Sequence, residues 1–199
     1  SKTHLVNGSG VNIERFNFVI PPKGSINFLC VARLKGDKGL REYAAAAKIV
    51  KKKFPTVVFN LVGPEETSPD AISLDEVNRW SDYVSYQGET TDVRPLIKDS
   101  HVYVLPSYHE GLPRSTLEAM SMGRPVITTD AFGCKETVKN GINGFIVPVA
   151  SVDKLAEKMI WFIEHSEHIE PMGIASRRMV EKKFDVRKVN AKMLDIIVL

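Results

Sequence analysis

Short apolar runs alternate along this chain with segments of helical periodicity, and that alternation is what most constrains its fold. Ile26 to Ala32 (INFLCVA), Thr56 to Val62 (TVVFNLV), Val84 to Tyr86, His101 to Leu105 (HVYVL), the PVITTD run from Pro125 and Gly144 to Val147 read as strands. The first is apolar without alternation and ends in charge and glycine, the pattern of a strand buried on both faces. The second is β-branched and aromatic and is bounded by Pro55 and by Gly63 with Pro64, which are strand limits.

Between the strands, Leu40 to Lys53 carries alanines and helical apolar spacing, with lysines at the end where the helix dipole favours cations. Further helices are expected over Asp75 to Trp80, Val93 to Lys98 and Leu112 to Met122. In the last of these Pro113 falls near the first turn and Gly123 terminates the helix. A short helix is expected over Cys134 to Lys139, and closing helices over Asp153 to Phe162, His168 to Lys182 and Val186 to Ile197. Strand–helix alternation of this kind calls for right-handed crossovers and a Rossmann-like, doubly wound α/β domain: a mostly parallel sheet of about six strands with helices on both faces. The domain is assigned to residues 26–199. Residues 1–25, where Pro21, Pro22 and Gly24 mark irregular chain, read as a leading linker. The opening SKTHLVNGSG begins no helix or strand, so the chain is expected to be a piece of a longer protein.

Composition removes several function classes. The 199 residues are 43% hydrophobic and 26% charged with a net charge of +3, which is ordinary for one globular domain. Basic and acidic residues are interleaved, so nothing demands nucleic acid as a partner. Cys30 and Cys134 have neither a disulfide framework nor metal-ligand spacing, and a reducing cytoplasm fits them. No apolar stretch reaches the roughly 18 to 20 residues of a membrane helix.

Ligands of open α/β sheets bind beyond the carboxyl ends of the strands, so the loops there carry the chemistry. ARLKGDKGL puts Arg33 and Lys38 on either side of a glycine turn, where a bidentate guanidinium and a compact ammonium suit a diphosphate; the bland alternative is a solvated basic loop. It matches neither GxxxxGK[ST] nor GxGxxG. In PSYHEGLPRSTLEAM, Glu110 and Glu118 flank a helix start whose backbone amides around Gly111 to Arg114 point toward an anion. A carboxylate is a poor phosphate ligand. Glu118 therefore suits two neighbouring ribose hydroxyls, and Glu110 a hydroxyl of a transferred sugar, with its charge near a cationic transition state. The competing readings are a helix-surface carboxylate for Glu118 and a dipole-compensating charge for Glu110. His109 reads as a solvated loop residue and Cys134 as packing. Gly63, Gln87 and Gly88 end strands at the presumed ligand edge, where backbone groups can read a base. His4, His101, His165 and His168 form no metal-ligand pattern, and no metal is expected.

Taken together, ARLKGDKG, YQGETTDV, VLPSYHEGLPRSTLEAM, GRPVITTD and GINGFIVP resemble the family 4 retaining glycosyltransferases of the GT-B fold, specifically their C-terminal domain; the likeness starts at NGSGVNIERF. The resemblance implies that Arg33 and Lys38 bind the diphosphate of a nucleotide-sugar donor, most simply a UDP-sugar. It implies also that amides near Gly111 and Leu112 contact phosphate or sugar, that Glu118 holds the ribose and that Glu110 faces the donor sugar. Glu110, Arg33 and Lys38 become the catalytic residues of a transfer with retention of anomeric configuration, without a dedicated metal. Asn12 stands where the family often has Asp, and His109 and Arg114 occupy positions that vary with substrate. The family further implies a preceding acceptor-binding domain, a bacterial-type parent that builds polysaccharide or lipid-linked glycan, and peripheral association of that parent with the inner face of a membrane. Two other readings remain at this point: a non-catalytic nucleotide-sugar-binding module, and a sugar-nucleotide epimerase of the same architecture, against which the spaced glutamate pair argues.

Overall fold

The structure, a computed structural model, describes residues 8–197. Six strands, β1 (Asn27–Val31), β2 (Val58–Val62), β3 (Ser85–Tyr86), β4 (Val102–Leu105), β5 (Val126–Thr129) and β6 (Gly144–Val147), form one sheet in the order β3-β2-β1-β4-β5-β6. Every pairing within it is parallel. Helices α1 (Leu40–Lys53), α2 (Leu74–Asn78), α3 (Arg94–Lys98) and α4 (Arg114–Ser121) fall between strands, and α5 (Val152–Glu164), α6 (Ile169–Lys183) and α7 (Val186–Ile197) follow the last one. The chain winds outward from β1 to β3, then returns to the other side of β1 as β4. That reversal opens a crevice beyond the carboxyl ends of β1 and β4, the switch point of a doubly wound sheet.

The period-two alternation of each strand divides the core into two layers. Phe28 and Cys30 of β1, Val102 and Val104 of β4 and Ile127 of β5 join the layer containing Tyr43, Val50, Leu155 and Phe162 of α1 and α5. Their neighbours Leu29, Tyr103, Leu105 and Val126 join the opposite layer with Leu117 and Met120 of α4 and Val180 of α6. Each fully buried large apolar side chain contributes about 1.5–3 kcal/mol, so the strands are held from both sides.

The doubly wound parallel sheet expected from the sequence is the one observed, and α1 spans the expected residues. The differences have local causes. β2 starts at Val58 rather than Thr56, because a turn closed by the Val57 N–H on the Phe54 carbonyl takes up Pro55 and Thr56. Pro113 is the cap of α4, not a residue of its first turn, since its ψ of 112° is extended. The helix expected over Cys134 to Lys139 shrinks to a single 3-10 turn, Lys135–Thr137. Buried Asn143 is responsible: its carboxamide donates to the Thr137 carbonyl and accepts from the Lys139 N–H, taking groups a longer helix would need.

The leading segment is irregular but not detached. The Val11 N–H donates to the Phe184 carbonyl (2.8 Å), and the Val186 N–H donates to Val11 (3.0 Å). Arg177 Nη1 donates to the carbonyls of Ile13, Phe16 and Ser121. Arg124 is fully buried and donates to the carbonyls of Ile97, Lys98 and Val19. Residues 11–19 are thereby tied to α3, α4 and α6. His4 and the start of the opening segment lie outside the described residues.

Candidate functional site

The loop after β1 is pinned on both sides before it reaches the crevice. The Leu34 N–H donates to Pro64, and the Ile72 N–H to Leu34. A 3-10 turn, Gly36–Lys38, then ends at Gly39, whose φ of 68° is left-handed. A Cβ there would collide with the Pro106 carbonyl, so only glycine lets the loops after β1 and β4 touch. The Tyr108 N–H and the Ser107 hydroxyl both donate to the Asp37 carbonyl, closing the contact. The consequence is chemical: Lys38 Nζ lies 2.7 Å from Glu110 Oε1, with side chains only 13% and 18% exposed. Arg33, by contrast, is 57% exposed, and its Nη1 is 2.6 Å from Glu66 Oε2 on the loop after β2.

A third loop, after β5, holds Glu110 from behind. The Glu110 N–H donates to the Phe132 carbonyl at 3.0 Å, and Gly133 (φ 79°) sits where a Cβ would strike the Glu110 carbonyl. The exposed Phe132 ring stacks on His109 at 5.8 Å. Helix α4 is fastened over the end of β1: the Ser115 hydroxyl donates to the Val31 carbonyl and accepts from the Tyr103 hydroxyl. No side chain caps α4, so its first-turn amides face the crevice as anion donors.

These loops border an open cavity of about 590 Å³ lined by Val31, Arg33, Lys38, Glu110, Leu112, Pro113, Arg114, Ser115 and Glu118, among others, which is ample for a small ligand. Two further hollows continue from it past Arg114 and Glu118, which line all three. One is lined also by Arg15, Phe16 and residues 91–93, the other by Ser9, Gly10 and Asn12. Burial pushes the Glu118 carboxyl above its ordinary range, while the charges of Arg114 and Arg15 pull it back down. Cys134 is fully buried behind the site as a packing residue, and burial raises its thiol above the ordinary range. A separate hollow between α1 and α5 is lined by Ile49, Ile160 and Trp161 together with charged residues such as Lys158 and Glu157, which pair with each other. Among the described residues no three His, Cys, Asp or Glu side chains converge as a metal site.

Arg33, Lys38, Glu110, Leu112, Pro113 and Glu118 are thus gathered around one cavity. Gly63, Gln87 and Gly111 are not among its lining residues. The Gly63 N–H is spent on the Gly88 carbonyl and its carbonyl on the Tyr86 hydroxyl. The Gln87 amide nitrogen is held by Asn60 and Ser85. Arg15, Glu66, Phe132 and residues 91–93 are neighbours of the site that the sequence did not single out. The NIERF and ETTDV motifs contain Arg15 and residues 91–93, but nothing in either segment says that it meets Glu118.

Fold and site together define an α/β domain in which two cations, two carboxylates and an uncapped helix N-terminus converge at the switch point of a parallel sheet. The chain belongs to the glycosyl transferases group 1 family, whose profile matches residues 25–165. It is 34% identical over 179 residues to the N,N'-diacetylbacillosaminyl-diphospho-undecaprenol alpha-1,3-N-acetylgalactosaminyltransferase of Campylobacter jejuni, covering 82% of this chain and 46% of that protein. It is 33% identical over 162 residues to the capsular polysaccharide biosynthesis glycosyltransferase CapM of Staphylococcus aureus, covering 77% and 41%. The chain spans about half the length of the curated relatives it matches. Among solved structures, Anabaena HepE in complex with UDP superposes with a TM-score of 0.82 at 20% identity, over 95% of this chain and 56% of that one. Sucrose-phosphate synthase from Thermosynechococcus elongatus does so with a TM-score of 0.81 at 22% identity, over 94% and 50%. Both share the fold. No helix among the described residues is long and apolar enough to cross a membrane.

Proposed function

We propose that this chain binds a nucleotide-sugar donor, a UDP-sugar, and supplies the donor half of a retaining glycosyltransferase that acts on a glycan or lipid-linked acceptor in polysaccharide synthesis. The observation that carries this reading is the convergence of Arg33, Lys38, Glu110 and Glu118 on one cavity at the open end of α4. The diphosphate lies between Arg33, Lys38 and the α4 amides. Glu118 accepts hydrogen bonds from the ribose hydroxyls, and the base extends into the hollow beside Arg15 and residues 91–93. The sugar turns toward Glu110. The choice of UDP and of a lipid-linked or capsular acceptor leans on the relatives, one named for transfer to a diphospho-undecaprenol carrier and one fold neighbour holding UDP.

In the reaction, the bond from the anomeric carbon to the diphosphate breaks with its electron pair leaving on the diphosphate oxygen. The acceptor hydroxyl oxygen bonds to the anomeric carbon on the same face of the sugar, and its proton passes to the departing diphosphate oxygen. Lys38 and the helix amides are preorganised around the charge that develops on the leaving group, Arg33 adds its charge from the loop after β1, and the Glu110 carboxylate faces the positive charge that develops on the sugar. The cation pair takes the charge-compensating role, so the mechanism calls for no resident metal. Acceptor binding falls to parts of the protein outside this chain, which we place at the cytoplasmic side of a membrane.

Calorimetry with UDP, GDP and ADP tests the reading, with UDP expected to bind best and both Arg33→Ala and Glu118→Ala expected to weaken it. Absence of nucleotide binding, or unchanged affinity in Glu118→Ala, would overturn it. A full-length parent that binds donor yet transfers sugar to neither glycan nor water would leave only the binding module.

A further inference from the structure

Arg33 is engaged by a carboxylate on the neighbouring loop. Its guanidinium meets Glu66 Oε2 at 2.6 Å, and the other carboxylate oxygen of Glu66 accepts the Thr67 N–H at 3.1 Å. The Glu66 side chain is 18% exposed against 57% for Arg33. The carboxylate is therefore the fixed member of the pair and the arginine the mobile one. Lys38 differs. Its ammonium has three donors and can keep Glu110 while meeting a phosphate.

We propose that Glu66 is a built-in competitor for the diphosphate, and that it discriminates between donor and product. This rests on the reading of Arg33 as a diphosphate ligand. A bound diphosphate must either take the guanidinium from Glu66 or share it, and in both cases one carboxylate is left facing phosphate oxygens. The penalty scales with the charge of the ligand. A sugar diphosphate is esterified at its terminal phosphate. The released nucleoside diphosphate is not, and its terminal group gains a further negative charge near neutral pH, where the second ionisation of a phosphate monoester lies at about 6. The same carboxylate therefore opposes the product more than the donor. It acts as a specificity residue that promotes turnover by loosening the leaving group once transfer is complete.

The test is calorimetry of wild type, Glu66→Gln, Glu66→Ala and Arg33→Ala with UDP, with the β-methyl ester of UDP and with uridine. The ester carries the charge of a donor without committing to a sugar. Both Glu66 variants are expected to bind UDP about two- to fivefold more tightly, the scale of an exposed ion pair. The ester should gain less, uridine should not change, and high salt should shrink the gain. Unchanged or weaker UDP binding in both Glu66 variants, with Arg33→Ala still weakening it, would overturn the competitor and leave the diphosphate reading standing. Equal gains for UDP and the ester would overturn the discrimination. If Arg33→Ala binds UDP as wild type does, the diphosphate reading itself fails. Matching thermal unfolding of the Glu66 variants and wild type separates these results from misfolding.

Discussion

Lys38 and Glu110 stand 72 positions apart in the chain and meet in a 2.7 Å ion pair at the floor of the cavity. The sequence divides them into a phosphate ligand and a sugar ligand, whereas the fold makes them one unit. Lys38 fixes the carboxylate that faces the sugar, and Glu110 holds the ammonium that faces the diphosphate. Because both are largely buried, removing either leaves a poorly solvated charge behind.

The first consequence is coupling. Lys38→Ala and Glu110→Ala are each expected to destabilise the domain, and the double variant by less than the sum, with a coupling of about 1–2 kcal/mol. Urea unfolding of the four proteins measures it, and strict additivity would show that the pair contributes nothing as a pair.

Exposure separates the two cations. Salt screens charges in contact with water far more than shielded ones, and Arg33 is 57% exposed against 13% for Lys38. The loss of UDP affinity in Arg33→Ala should be larger at low salt than at high salt, while the loss in Lys38→Ala should change little. Titrations at two ionic strengths decide this.

Glu118 should give the site a pH dependence. Its carboxyl is raised, chiefly by burial, and only the ionised form accepts bonds from two hydroxyls. UDP affinity is then full above the raised pKa and falls as pH drops through it, at a higher pH than an ordinary carboxyl would show. Arg15→Ala removes one charge that opposes the shift, so its loss should begin at higher pH still. In Glu118→Gln this component of the pH profile should vanish.

Arg124 is a structural test. Its side chain is fully buried, and burial lowers its pKa to about 10. It serves the carbonyls at the end of α3 and that of Val19. Arg124→Met keeps the volume and orphans those acceptors, with an expected cost of about 3 kcal/mol or more in urea unfolding. Nucleotide affinity at temperatures where the variant is folded should stay close to wild type.

Gly133→Ala probes the rear wall of the site. A Cβ there collides with the Glu110 carbonyl, and the left-handed φ adds strain, a combination that costs about 1–3 kcal/mol. The loop carrying Glu110 has to move, so both thermal stability and sugar-nucleotide affinity should drop, with a smaller change for the nucleotide alone.

Much of this protein is written locally. Strand and helix periodicities, the alanine and lysine pattern of α1 and the proline before α4 act over a few residues, so the elements and the parallel sheet could be read directly. Arg33, Lys38, Glu110 and Glu118 could also be singled out, because strand ends followed by charged, glycine-bearing loops mark the ligand edge of an α/β sheet. Helix ends such as residues 134–139 were less legible, since a distant buried residue, Asn143, decides where the backbone bonds go.

The sequence by itself determined the elements, their parallel arrangement and the charged side chains that surround the cavity, because those follow from which face of each segment must leave water. Only the tertiary structure decided who pairs with whom. By placing β1 between β2 and β4 it set Arg33 against Glu66 and Lys38 against Glu110. It spent Gly63 and Gln87 on internal bonds and folded Arg15 toward Glu118. Ion pairs and backbone bonds depend on distances of a few ångströms between chain-remote atoms, and strand order, not local pattern, sets those distances.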